Sequence, residues 1–379
     1  MSDHRTWTRR NVLRTGGAIA GVSALAGCMG GDDSGNGNGN GNGSSDGGPY
    51  TVSMPPVGEV EFESAPQNWS ANNGSWADMG IALGQEPPEA VYLTSRYHTQ
   101  YYDEIPDVSV DKSGMKALWG DGNLNPEEFL ELSEGVDVFV NDPNFVIGRA
   151  DGWKQDDIDQ IESTGTPFFG NSIFSTGYNW HDYDYLSLYE AFEKLSQVFK
   201  EEERYQQFAA LHDEFQSNVE EIVPPEGERP NVAIMWASES DMGSFSPYLI
   251  GEGTSFKQWR DLEVNDAFAE TDVRDFHSTR GKVDYETLLE IDPDYIMFRG
   301  QEDKTAEEFQ NAIVSEMEND DAASKLSAVQ NGNVYRGGPL YQGPITNLVV
   351  TERAAKQVYD AEGELYDRQK VSDIVNGNF

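Results

Sequence analysis

One helix-to-strand pattern occurs twice in this chain, at residues 124–140 and again 159 residues later, at 283–299. Each copy opens with a residue suited to cap a helix, Asn125 in the first copy and Asp284 in the second. Each then runs into a short apolar stretch that predicts a β-strand. Four pairs of residues are identical at this offset: Glu127 and Glu286, Leu130 and Leu289, Glu131 and Glu290, and Phe139 and Phe298. The repeat predicts two related α/β lobes in series.

Short apolar runs alternate with helical patterns from Tyr50 onward, which is typical of α/β folds with parallel sheets. Strands are expected at residues 90–94, 136–140 and 167–170 in the first half of the chain, and at 231–236, 295–299 and 333–336 in the second. The predicted fold class is α/β, with two α/β lobes at residues 50–200 and 225–379. Each lobe is expected to have a parallel central sheet.

Residues 201–224, between the two lobes, carry an apolar stripe at helical spacing. The stripe consists of Phe208, Leu211, Phe215, Val219 and Ile222. It predicts a single helix from about Glu202 to Ile222, roughly 31 Å long at 1.5 Å per residue. We expect this long helix to bridge the lobes, and a further helix to precede it over residues 183–199.

Acidic residues greatly outnumber basic ones, with 67 Asp and Glu against 26 Lys and Arg and a formal charge of −41. This balance excludes a nucleic-acid-binding protein that works through a basic face, because nothing would attract phosphates. At about 1 M salt the Debye length is roughly 3 Å, so neighbouring carboxylates are largely screened from one another. The composition therefore predicts a protein adapted to molar salt, of a halophilic archaeal type.

The N-terminus has the pattern of an export signal. Two adjacent arginines, Arg9 and Arg10, precede an apolar stretch at residues 15–27 that is shorter than the roughly 20 residues of a membrane span. This order resembles a twin-arginine signal peptide. The tetrapeptide Leu25-Ala26-Gly27-Cys28 resembles a lipobox, in which the cysteine carries a lipid. We expect residues 1–27 to be removed and Cys28, the only cysteine, to anchor the protein to the outer face of the cell membrane.

Residues 28–49 are rich in Gly, Asn and Ser and nearly devoid of apolar side chains. A tract of this composition predicts a flexible linker with a reach of roughly 25 Å. Three triplets that begin at Asn42, Asn68 and Asn73 have the pattern of N-glycosylation sites.

The order and spacing of several segments resemble the substrate-binding proteins of ABC importers for ferric siderophores and cobalamin, a periplasmic binding protein family with a helical backbone between its lobes. The resemblance covers residues 64–360 and rests on segments at 75–84, 124–128, 164–169, 283–289 and 292–294, together with the long helix. It implies a ligand cleft between the lobes and no enzymatic activity. It also implies a monomer without an intrinsic cofactor, which delivers a ferric siderophore or cobalamin to an ABC permease and its ATPase.

The family usually has a Gly-Gly pair after the residue equivalent to Leu262, where this chain has Glu263 and Val264. The resemblance also implies that an acidic residue near this turn contacts the permease. Glu263 and Asp266 are the two candidates.

Ligands of open parallel sheets bind beyond the carboxyl ends of the strands. In this chain those positions are rich in aromatic residues and arginines, which suit flat chelates and negatively charged oxygen atoms. The predicted ligand-binding residues are Arg96, Tyr97, Trp119, Phe174, Trp180, Trp236, Tyr248, Arg274, Arg280 and Tyr341.

Two alternatives stay open. His98, His181 and His277 lie in loops expected at the cleft, and histidines at such long spacing suit a zinc- or manganese-binding importer protein. A surface-anchored enzyme is the other alternative, although the chain has no Gly-x-Ser-x-Gly, His-Glu-x-x-His or phosphate-binding glycine motif.

Overall fold

Residues 48–120, 123–176, 178 and 180–379 are described by a computed structural model of the protein. They belong to one unit, Gly47–Phe379. The predicted signal peptide, Cys28, Asn42 and nearly all of the linker lie outside the described residues. Among the helices of the described part, none combines the length and the apolar character that a membrane crossing requires.

The first half of the unit is built around a parallel sheet. Its strands and helices are β1 (Tyr50–Met54), β2 (Gly58–Phe62), β3 (Trp69–Ala71), α1 (Gly74–Ala82), β4 (Ala90–Val91), β5 (Lys116–Ala117), β6 (Trp119–Gly120), β7 (Asn123–Leu124), α2 (Pro126–Leu132), β8 (Val138–Val140), α3 (Pro143–Arg149), α4 (Gln155–Glu162) and α5 (Leu188–Phe199). The sheet has the order β5-β4-β3-β8, and all of its pairings are parallel. In the stretch expected to form a strand at 167–170, Phe168 makes an isolated parallel bridge to Phe139.

The apolar stripe forms one helix, α6 (Glu202–Ile222), with the bounds that the sequence predicts. Its buried side chains are Phe208, Leu211, Phe215 and Val219. The preceding helix, α5, begins later than expected because Ser187 caps it. Glu190 bonds back to the Ser187 backbone in a capping box, which fixes the first turn at Leu188 instead of near residue 183.

The second half has a six-stranded sheet. Its elements are β9 (Asn231–Trp236), β10 (Ser244–Tyr248), α7 (Lys257–Asp261), β11 (Asn265–Asp266), α8 (Phe276–Thr279), β12 (Val283–Asp284), α9 (Tyr285–Ile291), β13 (Tyr295–Phe298), α10 (Ala306–Phe309), α11 (Ser315–Asn319), α12 (Ser327–Gln330), β14 (Val334–Arg336), α13 (Pro344–Tyr359) and α14 (Arg368–Val375). Strands β11, β9, β13 and β14 pair in parallel, whereas β10 is antiparallel to β9 and to β12. This sheet is therefore mixed and not wholly parallel, because the short connection from β9 to β10 permits only a hairpin.

The repeated unit has the same structure in both halves. In the first, the side chain of Asn125 accepts a 3.0 Å hydrogen bond from the backbone N–H of Glu127 at the start of α2, and β8 follows. In the second, Asp284 accepts a 2.9 Å bond from the N–H of Thr287 in α9, and β13 follows. The helix-to-strand repeat read from the sequence is therefore confirmed.

The two sheets are joined through a shared core and through hydrogen bonds. One contiguous apolar cluster contains residues of the first sheet, of α6 and of the second sheet, such as Val140, Phe215 and Ile234. Two backbone hydrogen bonds also cross between the halves, from the N–H of Thr254 to the carbonyl of Ile173 at 2.9 Å and from Ser255 to Phe174 at 3.1 Å. These contacts fix the walls of the space that lies between the sheets.

Candidate ligand-binding cleft

A cavity of about 320 Å³ lies between the two sheets. It is lined by Tyr92, Arg96, Phe145, Arg149, Phe174, Ser175, Tyr178, Trp236, Ser246, Tyr248, Phe276, His277, Arg280, Arg299, Leu340 and Tyr341. Several of these residues directly follow strands: Tyr92 follows β4, Trp236 ends β9, and Arg299 follows β13. The cavity therefore lies at the carboxyl ends of parallel strands of both sheets, where this kind of fold binds ligands.

Four arginines line the cavity, and each contacts an aromatic ring. The guanidinium carbon of Arg96 lies 5.8 Å from the ring centre of Trp236, and that of Arg149 lies 5.9 Å from the ring centre of Trp119. Arg280 contacts Phe276 in the same way, at 5.2 Å. Within the described residues, no carboxylate oxygen lies within 4.0 Å of Arg96, Arg149, Arg280 or Arg299.

Arg299 is the most enclosed of these cations, with 4 % of its surface exposed. Its guanidinium carbon lies 4.5 Å from the ring centre of Tyr248 and 4.7 Å from that of Phe256. Burial lowers the pKa of this guanidinium from its ordinary value. Its Nη1 atom is buried and has no hydrogen-bond partner in the described part of the chain. A buried cation with an unused donor is costly unless an anion binds beside it.

Three tyrosines of the cavity, Tyr178, Tyr248 and Tyr341, are neutral hydrogen-bond donors at neutral pH. Burial raises the pKa of Tyr178 to about 12, and it also raises the pKa values of Tyr248 and Tyr341 above the ordinary phenol value. With four guanidinium groups beside these phenols, the cavity offers many donors and few acceptors. This chemistry suits a ligand with negatively charged oxygen atoms.

Six of the predicted ligand-binding residues line the cavity: Arg96, Phe174, Trp236, Tyr248, Arg280 and Tyr341. Tyr97 does not, because it is buried and its hydroxyl lies 2.9 Å from that of Tyr102. Arg274 lies outside as well, with an exposed guanidinium that donates to the carbonyls of Thr271 and Val273.

Two predicted tryptophans lie behind the lining residues. Trp119 contacts Arg149, as described above, and its ring lies 5.3 Å from that of Tyr92. Trp180 stacks on Tyr178 with ring centres 4.4 Å apart and planes 9° from parallel. Both rings support the cavity wall and do not form its surface.

Arg149 and Arg299 were missed by the sequence analysis. Arg299 follows β13 directly, so the rule that ligands bind at the carboxyl ends of strands could have found it. Arg149 ends α3, and no sequence pattern separates it from an ordinary arginine at a helix C-terminus.

The three histidines of the metal alternative do not form a metal site. His277 lines the cavity, and its Nδ1 lies 3.2 Å from a carboxylate oxygen of Asp275. His181 lies among tyrosine rings, where burial lowers its pKa to about 4. Burial also lowers the pKa of His98. The described residues contain no group of three or more His, Cys, Asp or Glu side chains that could hold a metal ion.

Asn73 and the two candidate docking acids have distinct surroundings. Asn73 is 2 % exposed and caps α1 by accepting from the N–H of Ser75, so it is not an accessible glycosylation site in the folded protein.

Asp266 accepts hydrogen bonds from the backbone of Ile250 at 2.7 Å and Phe268 at 2.9 Å. Glu263 is more exposed and pairs with Arg229 at 2.5 Å.

Glu263 has a φ angle of +50°, in the left-handed region that favours glycine. The family resemblance places a glycine at this point. The backbone shape that favours glycine is therefore retained here even though the glycine is not.

Comparisons with known proteins agree with this architecture. The family model for periplasmic binding proteins matches residues 138–340, more than half of the chain. No curated protein sequence matches this chain. The chain is similar in structure to a periplasmic binding protein from Veillonella parvula, with 16 % identity over 83 % of this chain and 99 % of that one and a TM-score of 0.57.

Two further similar structures have a named ligand. The heme-binding protein HmuT is 17 % identical over 84 % of this chain and 93 % of that one, with a TM-score of 0.55. The petrobactin-binding protein YclQ from Bacillus subtilis is 16 % identical over 86 % and 98 %, with a TM-score of 0.54. At such identities the likeness establishes the fold. With the match of the family model, it shows that this chain belongs to the periplasmic binding proteins, which bind solutes and are not enzymes.

Proposed function

We propose that this chain is the solute-binding component of an ABC importer and that it captures an anionic ferric chelate, foremost a ferric siderophore, in the cleft between its lobes. The observation that carries this proposal is the set of four arginines that line the cavity without a carboxylate partner among the described residues. Acids outnumber bases in this chain by 67 to 26, so arginines without an acidic partner mark a place kept free for another anion.

Electrostatics explains why an anionic ligand needs these arginines. A chain with a formal charge of −41 repels anions over most of its surface, especially at low salt. Guanidinium groups in a cleft reverse the local potential, and their forked donors match pairs of oxygen atoms in carboxylates and catecholates. Inside the cleft such contacts are screened by salt less than surface pairs are, so they persist at molar salt.

The charge of the cavity favours a siderophore over cobalamin. A corrinoid carries little negative charge for the four arginines to neutralise, whereas ferric chelates with carboxylate or catecholate arms are anionic. The cavity volume of about 320 Å³ lies within the usual range for ligand sites, about 300–1,000 Å³.

Haem is the second candidate, and two residues of the cavity favour it. The rings of His277 and Tyr248 have centres 5.0 Å apart, and both line the cavity. Imidazole and phenolate groups are ligands of haem iron, and arginines can bind haem propionates. The names of similar structures, a petrobactin-binding protein and a heme-binding protein, support these two ligand classes.

The placement in the cell follows from the sequence signals. We propose export by the twin-arginine route, a lipid on Cys28, and a flexible linker that holds a monomeric binding protein near the permease and its ATPase. For the docking contact we favour Glu263 over Asp266, because Glu263 is the more exposed of the two and pairs only with Arg229 among the described residues, whereas the Asp266 carboxylate is held by backbone hydrogen bonds. The charge balance supports adaptation to molar salt.

Calorimetric titration of the protein in 2–3 M KCl tests the ligand proposal. The probes are an anionic ferric tris-catecholate, ferric citrate, a neutral ferric trihydroxamate, haemin, cyanocobalamin, Zn²⁺ and Mn²⁺. We expect at least one anionic ferric chelate to bind more tightly than the neutral trihydroxamate and cyanocobalamin. Binding of haemin alone selects the second candidate. Binding of only a neutral probe or only a bare metal ion refutes the proposal.

A further inference from the structure

Two tryptophans at the cleft lie directly against glycine residues. A Cβ atom added to Gly300 would lie 2.1 Å from Cζ3 of Trp236, and a Cβ added to Gly148 would lie 2.3 Å from Cε3 of Trp180. Both distances are far below ordinary van der Waals contact. The indole rings occupy the space that a side chain at either position would need.

Each tryptophan belongs to a wall of the cavity, and the two walls come from different lobes. Trp236 ends β9 in the second lobe and lines the cavity itself. Trp180 belongs to the first lobe and stacks behind Tyr178, which lines the cavity. Gly300 directly follows the buried Arg299, and Gly148 lies in α3 beside Arg149. Each glycine therefore borders an aromatic wall and a cleft arginine.

We propose that Gly300 and Gly148 are specificity-determining positions. Without side chains, they let both indole rings lie close to the backbone, and this leaves the cavity wide enough for a flat anionic ring system such as the catecholate arms of a ferric chelate. The proposal rests on the proposed function and adds a substrate feature to it. A side chain at Gly300 would push the rigid Trp236 ring into the cavity by more than 1 Å, since ordinary contact needs at least about 3.4 Å.

The chain provides a matched control for Gly300. Gly300 has a φ angle of +71°, so an alanine there also meets backbone strain. Gly332 has nearly the same angle, +73°, but nothing lies within 4 Å of its added Cβ. Gly332→Ala therefore reproduces the strain without the collision. For Gly148→Ala the backbone contribution to stability is favourable instead of unfavourable, because alanine stabilises a helix relative to glycine by about 1 kcal/mol. Only crowding against Trp180 would oppose that gain.

The experiment measures the binding of ferric tris-catecholate and of ferric citrate, which has no aromatic ring, in 2–3 M KCl. For Gly300→Ala we expect at least tenfold weaker binding of the tris-catecholate and less than threefold weaker binding of the citrate. Gly332→Ala should stay within twofold of the wild type for both. In the double variant Gly300→Ala/Trp236→Leu, binding should fall within threefold of Trp236→Leu alone, since the collision is gone.

Three results would overturn the proposal: unchanged tris-catecholate binding in Gly300→Ala, an equal loss for both chelates, or a loss that persists in the double variant. If the wild type binds neither chelate, the proposed ligand class is wrong. The displacement of Trp236 by a side chain at position 300 can then still be measured by fluorescence. Acrylamide quenching of Trp236, obtained by comparison with matching Trp236→Phe proteins, should increase in Gly300→Ala and not in Gly332→Ala. Identical quenching of Trp236 in the wild type, Gly300→Ala and Gly332→Ala refutes the role of Gly300.

Discussion

The carboxylate of Asp78 accepts a 3.0 Å hydrogen bond from the backbone N–H of Ile345, and so joins α1 in the first lobe to the first turn of α13. A second bond of the same length comes from the N–H of Thr346. Asp78 is fully buried, and its charge faces the N-terminal end of a 16-residue helix, where a negative charge is favourable. This carboxylate is therefore a fixed point between two parts of the chain that are far apart in sequence.

Asp78 gives the stability of the protein a specific pH dependence. Burial raises its pKa to about 6, above the value of about 3.9 expected in the unfolded chain. The folded state then holds the proton more tightly, so the contribution of Asp78 to stability falls as the pH rises from about 4 to about 6 and is constant above. Relative to Asp78→Asn, the wild type should gain up to about 3 kcal/mol on acidification from pH 7 to pH 4.

Chemical unfolding of the wild type and of Asp78→Asn at several pH values and constant molar KCl measures the difference in their free energies of unfolding. Asp321→Asn, at an exposed acid, serves as the control and should track the wild type. A constant difference between wild type and Asp78→Asn from pH 4 to pH 7 contradicts the raised pKa.

The ion pair between the buried Glu302 and the half-buried Arg353 provides a second prediction. The guanidinium of Arg353 donates to both carboxylate oxygens of Glu302 at 2.9 and 3.0 Å, and the hydroxyl of Tyr101 donates to the same carboxylate at 2.6 Å. Burial alone would raise the pKa of Glu302, but Arg353 outweighs it and holds the value at about 2. This contribution to stability is present above about pH 4.3 and is lost as the pH falls toward 2.

Removal of the cation alone should therefore be costly. Arg353→Met should lower the free energy of unfolding by about 3–5 kcal/mol at pH 7, because it leaves a buried charge without its partner. The double variant Glu302→Gln/Arg353→Met removes both charges and should recover most of the loss. Equal stabilities of the single and double variants, measured by chemical unfolding, would contradict this account.

The cleft arginines are expected to dominate binding of an anionic chelate. Arg299→Met and Arg96→Ala should each weaken the best ferric chelate by about 10- to 150-fold, as expected for a charged hydrogen bond of about 1.5–3 kcal/mol. Arg274→Ala is the matched control and should stay within twofold, because Arg274 lies outside the cavity. Calorimetry checks all three, with thermal unfolding to confirm that each variant folds. Equal effects at Arg274 and Arg299 would show that only the general charge matters.

The acidic surface should make folding depend on salt. With a net charge of −41, lowering KCl from about 3 M to about 0.1 M lengthens the Debye length to roughly 10 Å and restores repulsion among carboxylates. We expect the thermal unfolding midpoint to fall steeply over this range. A neutral osmolyte such as sorbitol should not replace the salt. A midpoint independent of KCl would contradict adaptation to molar salt.

The predicted lipid anchor can be tested in cells. Cys28→Ser removes the thiol that would carry the lipid, so the protein should move from the membrane fraction to the medium without a change in ligand binding. Replacement of Arg9 and Arg10 by lysines should instead keep the precursor inside the cell. Retention of Cys28→Ser in the membrane fraction would refute the anchor.

Much of the fold could be predicted because its signals are local. The caps at Asn125 and Asp284 and the apolar stripe of α6 each depend on a few neighbouring residues. The hairpin of β1 and β2 was missed because strands were expected only at continuous apolar runs, whereas Val52 and Val60 alternate with exposed polar residues, the pattern of a half-buried strand. Strand β10, which is antiparallel to both β9 and β12, was missed because Pro247 lies within it, and proline is uncommon inside a paired strand.

The cleft was only partly predictable because it depends on contacts between distant segments. Trp180 and Trp119 have the same sequence character as Trp236, yet only Trp236 reaches the cavity surface. Whether an arginine faces the cleft or the solvent is likewise decided by packing, as Arg280 and Arg274 show only six residues apart. A position directly after a strand therefore indicates that a residue lies near the cleft, but packing in the tertiary fold decides whether its side chain lines the cavity.

The backbone hydrogen bonds from Thr254 to Ile173 and from Ser255 to Phe174 have a kinetic consequence. Because these bonds hold the two halves together, little binding free energy is spent on closing the cleft. The cleft is therefore preorganised before the solute binds. Capture should then proceed at a rate set by diffusion and charge, while escape is slow. Under the proposed function, release of the solute would then require the transporter to separate the two halves.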